Sequence, residues 1–288
     1  MQQPRPALGP LIRHVRSVLE QAGKQSAALD ARLLVEHFTG TSRTDAVLDP
    51  ERVIPQERVE AVLAALDRRL NGEPVHRIIG YREFYGLQLK ISAETLEPRP
   101  DTESLVELAL PYVRRIAEEK GSCSILDMGT GTGAIALALI HEEPRARALA
   151  TDISPDALAT AKSNADINRV ADRFETLRSS WYDNIDRRFD VIVSNPPYIP
   201  TDVIASLERE VRDFDPLAAL DGGPDGLDAY RAIAAGAPEH LLEAGVVVVE
   251  VGYDQPDAVE AIFRARGFVL VEGADDLGGH RRSLAFKL

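Results

Sequence analysis

From Ser124 to the carboxyl end, short apolar runs alternate with helical patterns, and that rhythm restricts the second part of the chain to one class of fold. Strands are expected near 124–128, 147–153, 174–179, 189–194, 245–251, 268–272 and 283–287, with helices between most of them. Val191, Ile192 and Val193 form an unbroken apolar, β-branched run, as a strand covered on both faces requires. The pattern specifies an α/β architecture with a mainly parallel, doubly wound sheet. Its end differs. Residues 268–288 carry two strand signals joined by a loop with Gly273, Gly278 and Gly279, so the last strand is expected to run antiparallel.

The first part reads as helix. Residues 8–23 and 26–38 have helical periodicity, the second through Leu29, Leu33, Leu34 and Phe38, with Ser26 as N-cap and Gly40 after its end. A shorter piece at 42–48 follows, and Pro55 opens a helix through Val59, Val62, Leu63, Leu66 and Leu70. Residues 1–75 are therefore expected to be a small helical domain. A hairpin linker over 76–97 uses Ile78, Ile79, Phe84, Tyr85, Leu87, Leu89 and Ile91, and the sheet domain takes 98–288. At the start of that domain, Asp101 or Thr102 can cap the next helix.

Charge narrows the partners. The net charge is −13, yet residues 1–75 hold ten basic and ten acidic residues, so the sheet domain carries the whole excess. That weighs against tight, phosphate-driven nucleic-acid binding. A single cysteine, Cys123, excludes an internal disulfide and a Cys-rich zinc site, and the six histidines lack metal-ligand spacing, so no metal is expected. Without a signal-peptide core or an apolar run of about 18 residues, a cytoplasmic protein is expected.

The strand at Phe189–Ser194 ends on Asn195, Pro196, Pro197 and Tyr198. The prolines stop it, since neither donates to a ladder and each pushes its predecessor toward extended geometry. Asn195 to Tyr198 then sit just past the carboxyl end of a strand, where open α/β sheets bind ligands. The Asn195 side-chain carbonyl and the Pro196 backbone carbonyl can accept from a planar NH2 group, and Tyr198 offers it a flat face. An ordinary Pro-Pro turn would use the same residues. The motif resembles that of amino-methyltransferases, whose targets are exocyclic base amines or the glutamine amide.

Upstream, Ile125 to Ala134 reads as a strand, a glycine turn and the start of a helix. The glycines let backbone N–H groups approach a ligand closely. Gly129, Gly131 and Ala134 also fit a dinucleotide fingerprint, and Asp152, near the end of the next strand, suits ribose hydroxyls under either reading. Asp127 separates the two. A carboxylate just before the turn repels a pyrophosphate and suits the ammonium of a methionine moiety, which favours S-adenosylmethionine. Trp181, after the third strand, can flank adenine or serve as a core tryptophan. The long connection through residues 210–227 is either a lid over the substrate or a surface loop.

Together these features resemble the PrmC/HemK family, whose members methylate the glutamine side-chain amide in the Gly-Gly-Gln motif of peptide-chain release factors. The likeness runs through ALDARLLVEHFTG (28–40), REFYGL (82–87), PRPDTE (98–103), DMGTGTGAIALAL (127–139), SNPPYIP (194–200) and EVRDFDPLAAL (210–220). It implies a seven-stranded Rossmann-like class I methyltransferase domain with a small N-terminal all-helical domain for substrate recognition. S-adenosylmethionine is the implied cofactor and a release factor the implied partner. By the resemblance Asp127, Gly129, Thr130, Gly131, Thr132, Gly133, Asp152, Trp181 and Asn195 bind the cofactor. Asn195, Pro196, Pro197 and Tyr198 hold the glutamine, and Asn195, Pro196 and Tyr198 carry the catalysis. Ser180 departs from the acidic residue that many relatives place before the aromatic. A monomer without membrane or nucleic-acid partners is expected. Two classes compete: a base or RNA amino-methyltransferase, against which the acidic charge weighs, and a non-catalytic binder, against which the intact motifs weigh.

Overall fold

The computed structural model describes residues 6–276 and 278–288. The chain divides into two compact units, one ending at Gly80 and the other running from Tyr81 to Leu288.

The first unit is built from α1 (Leu8–Gln21), α2 (Ala27–Thr39), α3 (Arg43–Leu48), α4 (Gln56–Leu70) and α5 (Val75–Ile79). Leu8, Leu11, Val15 and Leu19 of α1 and Val59, Val62 and Leu66 of α4 are buried at helical spacing. In α2 the buried face is not the one its leucines suggest. Leu29 is 46% exposed, and the inward positions are Ala27, Asp30, Ala31, Leu34 and Val35. The reason is an ion pair: Arg69 Nε donates to Asp30 Oδ2 at 2.6 Å, with both side chains buried. Periodicity scored on apolar residues cannot find a face whose centre is a carboxylate. Ser26 stands at the N-cap of α2, but its side chain makes no capping bond.

The hairpin expectation is corrected at its start. Val75–Ile79 is a helical turn entered from Pro74 and ended by Gly80 at φ +83°, so Ile78 and Ile79 are buried helix residues of the first unit. The strands are β1 (Tyr81–Phe84) and β2 (Leu87–Lys90), paired antiparallel across Tyr85 and Gly86.

In the second unit, a 3-10 turn at Pro100–Thr102 leads into α6 (Glu103–Lys120). Neither Asp101 nor Thr102 caps it with a side chain. Asp101 pairs with Arg282, and Thr102 serves the site described below. There follow β3 (Cys123–Met128), α7 (Ala134–Glu142), β4 (Ala146–Asp152), α8 (Pro155–Ile167), β5 (Phe174–Arg178) and β6 (Phe189–Ser194). The chain is completed by α9 (Arg209–Phe214), α10 (Asp228–His240), β7 (Leu241–Glu250), α11 (Pro256–Arg264), β8 (Val269–Asp275) and β9 (Arg281–Lys287).

The strand order is β5-β4-β3-β6-β7-β9-β8, with β9 antiparallel to both of its neighbours and the first five strands parallel. Successive side chains leave a strand on opposite faces. Ile125, Val191, Val193, Val246 and Val248 therefore pack under α6, α7 and α8. Leu126, Met128, Ile192, Val247 and Val249 pack under α10 and α11. Between β3 and β6 the chain order reverses, which opens a crevice beyond the carboxyl ends of those two strands. Met128 and Ser194 are register partners there, so the glycine turn and Asn195 leave the sheet side by side.

Candidate active site

The glycine turn is held from below. Gly129, Gly131 and Gly133 have φ of +68°, +55° and +84°, a region costly for other residues. Thr130 Oγ1 donates to Asp127 Oδ2 at 2.6 Å, and Ala136 N donates to the same oxygen at 3.4 Å. Gly131 N donates to Asp152 Oδ2 at 3.0 Å, while Ser154 N donates to Asp152 Oδ1 at 2.9 Å. Burial pushes the Asp127 carboxyl up to about 6, against the lowering effect of its Thr130 and Ala136 hydrogen bonds. Its second oxygen, Oδ1, is buried without a hydrogen-bond partner among the described residues.

The Asn195 side is assembled from distant segments. Ser194 Oγ donates to Met128 O at 2.7 Å, tying the end of β6 to β3. Asn195 Nδ2 donates to Thr102 Oγ1 at 3.2 Å. The Glu250 carboxyl at the end of β7 comes beside them, since Glu250 follows Val249, the register partner of Ser194. Burial raises that carboxyl to about 7, although the nearby Thr102 hydroxyl, the Arg282 charge and the Asn195 amide act to lower it. Gln255 Nε2 donates to Tyr198 O at 2.9 Å, and Gln255 Oε1 accepts from Gly252 N at 3.1 Å, so a buried amide holds the turn after Asn195. Burial, then the Glu250 charge, pushes the Tyr198 phenol up to about 12.

A cavity of about 530 Å³ lies between these two sides, within the usual range of roughly 300–1,000 Å³ for ligand sites. Gly129, Thr130, Gly131, Thr132, Asp152, Trp181, Asn195 and Pro197 line it, as the sequence suggests. Asp127, Gly133, Pro196 and Tyr198 are not on its wall. Asp127 lies beneath the glycine turn, and Gly133 packs on Leu137 and Ala161, where an added Cβ would come within 3.0 and 3.2 Å. Pro196 is buried, and Tyr198 packs against the core under α10 and α11. Trp181 has φ +51°, strained for an aromatic residue by about 1–3 kcal/mol.

Sequence reasoning left out several wall residues. Pro216 to Ala219 of the long connection line the cavity, so that segment is part of the site. Arg99, also on the wall, donates to the buried Asp215 at 2.7 Å and ties the PRPDTE segment to that connection. Glu250 and Gln255 were missed altogether. A carboxylate closing a valine strand next to β6 was the available signal, because the carboxyl end of a parallel sheet is its ligand edge.

Two family models match: the PrmC N-terminal domain over residues 10–80 and the Methyltransferase small domain over 112–206. The release factor glutamine methyltransferase of Agrobacterium fabrum is 53% identical over 272 residues, which is 94% of each chain. That of Caulobacter vibrioides is 43% identical over 92% of this chain and 90% of its own. The chain belongs to the release factor glutamine methyltransferase family. A methyltransferase from Pyrococcus furiosus shares the fold alone, at 16% identity, with a TM-score of 0.51 over 76% of this chain and 95% of that one. The second unit is thus a class I methyltransferase fold, and the family's cofactor is S-adenosylmethionine.

The residues present fit that cofactor. Its ammonium and sulfonium are cationic, and the wall carries the carboxylates of Glu94 and Asp152. The unpartnered Oδ1 of Asp127 is a buried acceptor awaiting a donor. Trp181, Leu96, Ile135 and Ile153 supply apolar wall for a purine and its linker.

Proposed function

We propose that this chain transfers a methyl group to the side-chain amide nitrogen of the glutamine in the Gly-Gly-Gln motif of peptide-chain release factors. The observation that carries the reading is the position of Asn195 on the wall of the same cavity as the glycine turn and Asp152. Membership of the release factor glutamine methyltransferase family supports it. When bound, S-adenosylmethionine supplies an electrophilic methyl group on a sulfonium. Asp152 would hold the ribose, Asp127 the ammonium and Trp181 the adenine.

An amide nitrogen is a poor nucleophile, because its lone pair is delocalised into the carbonyl. The Asn195 carbonyl, on the cavity wall, can accept one N–H of the glutamine, which raises electron density on nitrogen and orients the NH2 group. Positioning supplies much of the rate. No strong base is required, since the surplus N–H proton can leave to water after the new N–C bond forms. The acidic charge of this unit disfavours a base amine of DNA or RNA as the target. The protein is read as a cytoplasmic monomer.

The test is methyl transfer from labelled cofactor, with release factor and RNA offered separately. Methylation of the glutamine supports the reading; methylation of RNA alone overturns it. Residues 1–75, and with them α5 to Gly80, are read as the docking module for the folded factor. Removing residues 1–80 is expected to cut methylation of intact factor severely, to change methylation of a short Gly-Gly-Gln peptide little, and to leave cofactor affinity nearly intact. Circular dichroism must show that the truncated chain folds. Full activity of the folded truncation on intact factor would overturn the docking role.

A further inference from the structure

An Asn side chain ends in a carbonyl oxygen and an NH2 group of almost the same size, so shape alone does not decide which faces a ligand. At Asn195 the choice is decisive, because only the carbonyl can accept from a substrate amide. Its Nδ2 donates on the protein side to Thr102 Oγ1 at 3.2 Å, and Glu250 follows Val249, the register partner of Ser194, so its carboxyl lies beside Asn195. Glu250 is 2% exposed, and its Oε2 has no partner among the described residues, so it is a buried acceptor with capacity to spare.

We propose that Glu250 is the positioning residue that sets the orientation of the Asn195 amide, committing its NH2 to the protein and its carbonyl oxygen to the substrate. The inference rests on the amide-methylating reading above. An ionised carboxylate accepts and cannot donate. It selects the NH2 and repels the carbonyl, so the opposite flip is disfavoured. Thr102 alone would not select, since a hydroxyl both donates and accepts. A protonated Glu250 would lose the selection too, because its O–H can donate to the flipped carbonyl.

The groups that face Glu250 are Arg282 from β9, Asp101 from the turn before α6, Tyr198 after β6 and Tyr230 from α10. Arg282 stays charged and pairs with Asp101, while burial raises both phenols. Tyr230 Oη donates to the Glu250 backbone oxygen at 2.9 Å. Glu250, raised to about 7 by burial, changes charge near neutral pH.

Two measurements test this. In protein labelled with 15N-asparagine, free of cofactor and substrate, the Asn195 NH2 signals are identified by their loss in Asn195→Ala. They are expected to titrate with a midpoint near 7 in the wild type and to stay fixed in Glu250→Gln. With release factor as substrate, Glu250→Gln should lower kcat by about tenfold to a hundredfold, with KM nearly unchanged. The wild type is expected to lose kcat below a pH of about 7, and the variant to lack that fall. Wild-type Asn195 signals that do not move across that range overturn the proposal, and this arm needs no variant that folds. So does a Glu250→Gln protein whose kcat–pH profile matches the wild type. The spectroscopic arm uses no substrate, so failure of the substrate assignment leaves its outcome readable.

Discussion

The two sides of the cavity are built in opposite ways. On the glycine-turn side, Thr130 and Ala136 reach Asp127 three and nine residues away, and Gly131 reaches Asp152 at a distance of 21. On the Asn195 side, Asn195 bonds a threonine 93 residues earlier, and Arg282 pairs with Asp101 at a separation of 181. The first side is a short motif that closes on itself. The second exists only when the PRPDTE turn, β6, β7 and β9 are all in place. A cradle for a constant cofactor can be local, whereas an amide seat needs donors and acceptors from several directions, which one segment cannot supply.

The contrast can be broken most forcefully at Asn195. Asn195→Ala is expected to lower turnover on release factor by a factor of about 10² to 10³, the scale for losing one preorganised polar contact to the reacting group. Cofactor binding, followed by calorimetry, should weaken but remain measurable. Turnover near the wild-type rate would show that the second side does not hold the amide through this residue.

Asp152→Ala acts on the first side and should do the reverse. Cofactor binding is expected to weaken by about 1–3 kcal/mol, the scale for hydrogen bonds to a charged group. Turnover at saturating cofactor should change far less. Unchanged affinity by calorimetry would move the ribose seat elsewhere.

The smallest effect is a slope. Each side buries one carboxyl whose affinity for protons rises on folding: Asp127, from 3.8 to about 6, and Glu250, from 4.5 to about 7. The folded chain holds these protons more tightly than the unfolded one. Their stabilisation is therefore complete below the unfolded values and is lost as pH rises through the folded ones. Urea unfolding should show the wild type losing stability between pH values of about 4 and 7 relative to the variants. Asp127→Asn should flatten the part ending near 6 and Glu250→Gln the part ending near 7. Identical slopes in wild type and variants would mean that neither carboxyl is perturbed as described.

Much of the fold was legible without coordinates. The strand–helix alternation located all seven strands of the main sheet and the antiparallel last strand, because burial on both faces forces apolar, β-branched runs bounded by turn residues. The glycine turn, Asp152 and Asn195 were legible for a related reason, since backbone with positive φ and a strand stopped by prolines each demand particular residue types at fixed spacing. Single-segment periodicity failed where a partner from elsewhere changed the meaning of a residue. Asp30 became a core position through Arg69, and Thr102 left the helix cap for Asn195. Ile78 and Ile79 joined a helical turn set by Pro74 and Gly80 rather than the hairpin beside them. Tertiary structure alone decided that Pro216 to Ala219 wall the cavity, that Gln255 holds the Tyr198 turn, and that Glu250 comes beside Asn195. A sequence records what each residue can donate or accept, and only the packing of distant strands determines which donor meets which acceptor.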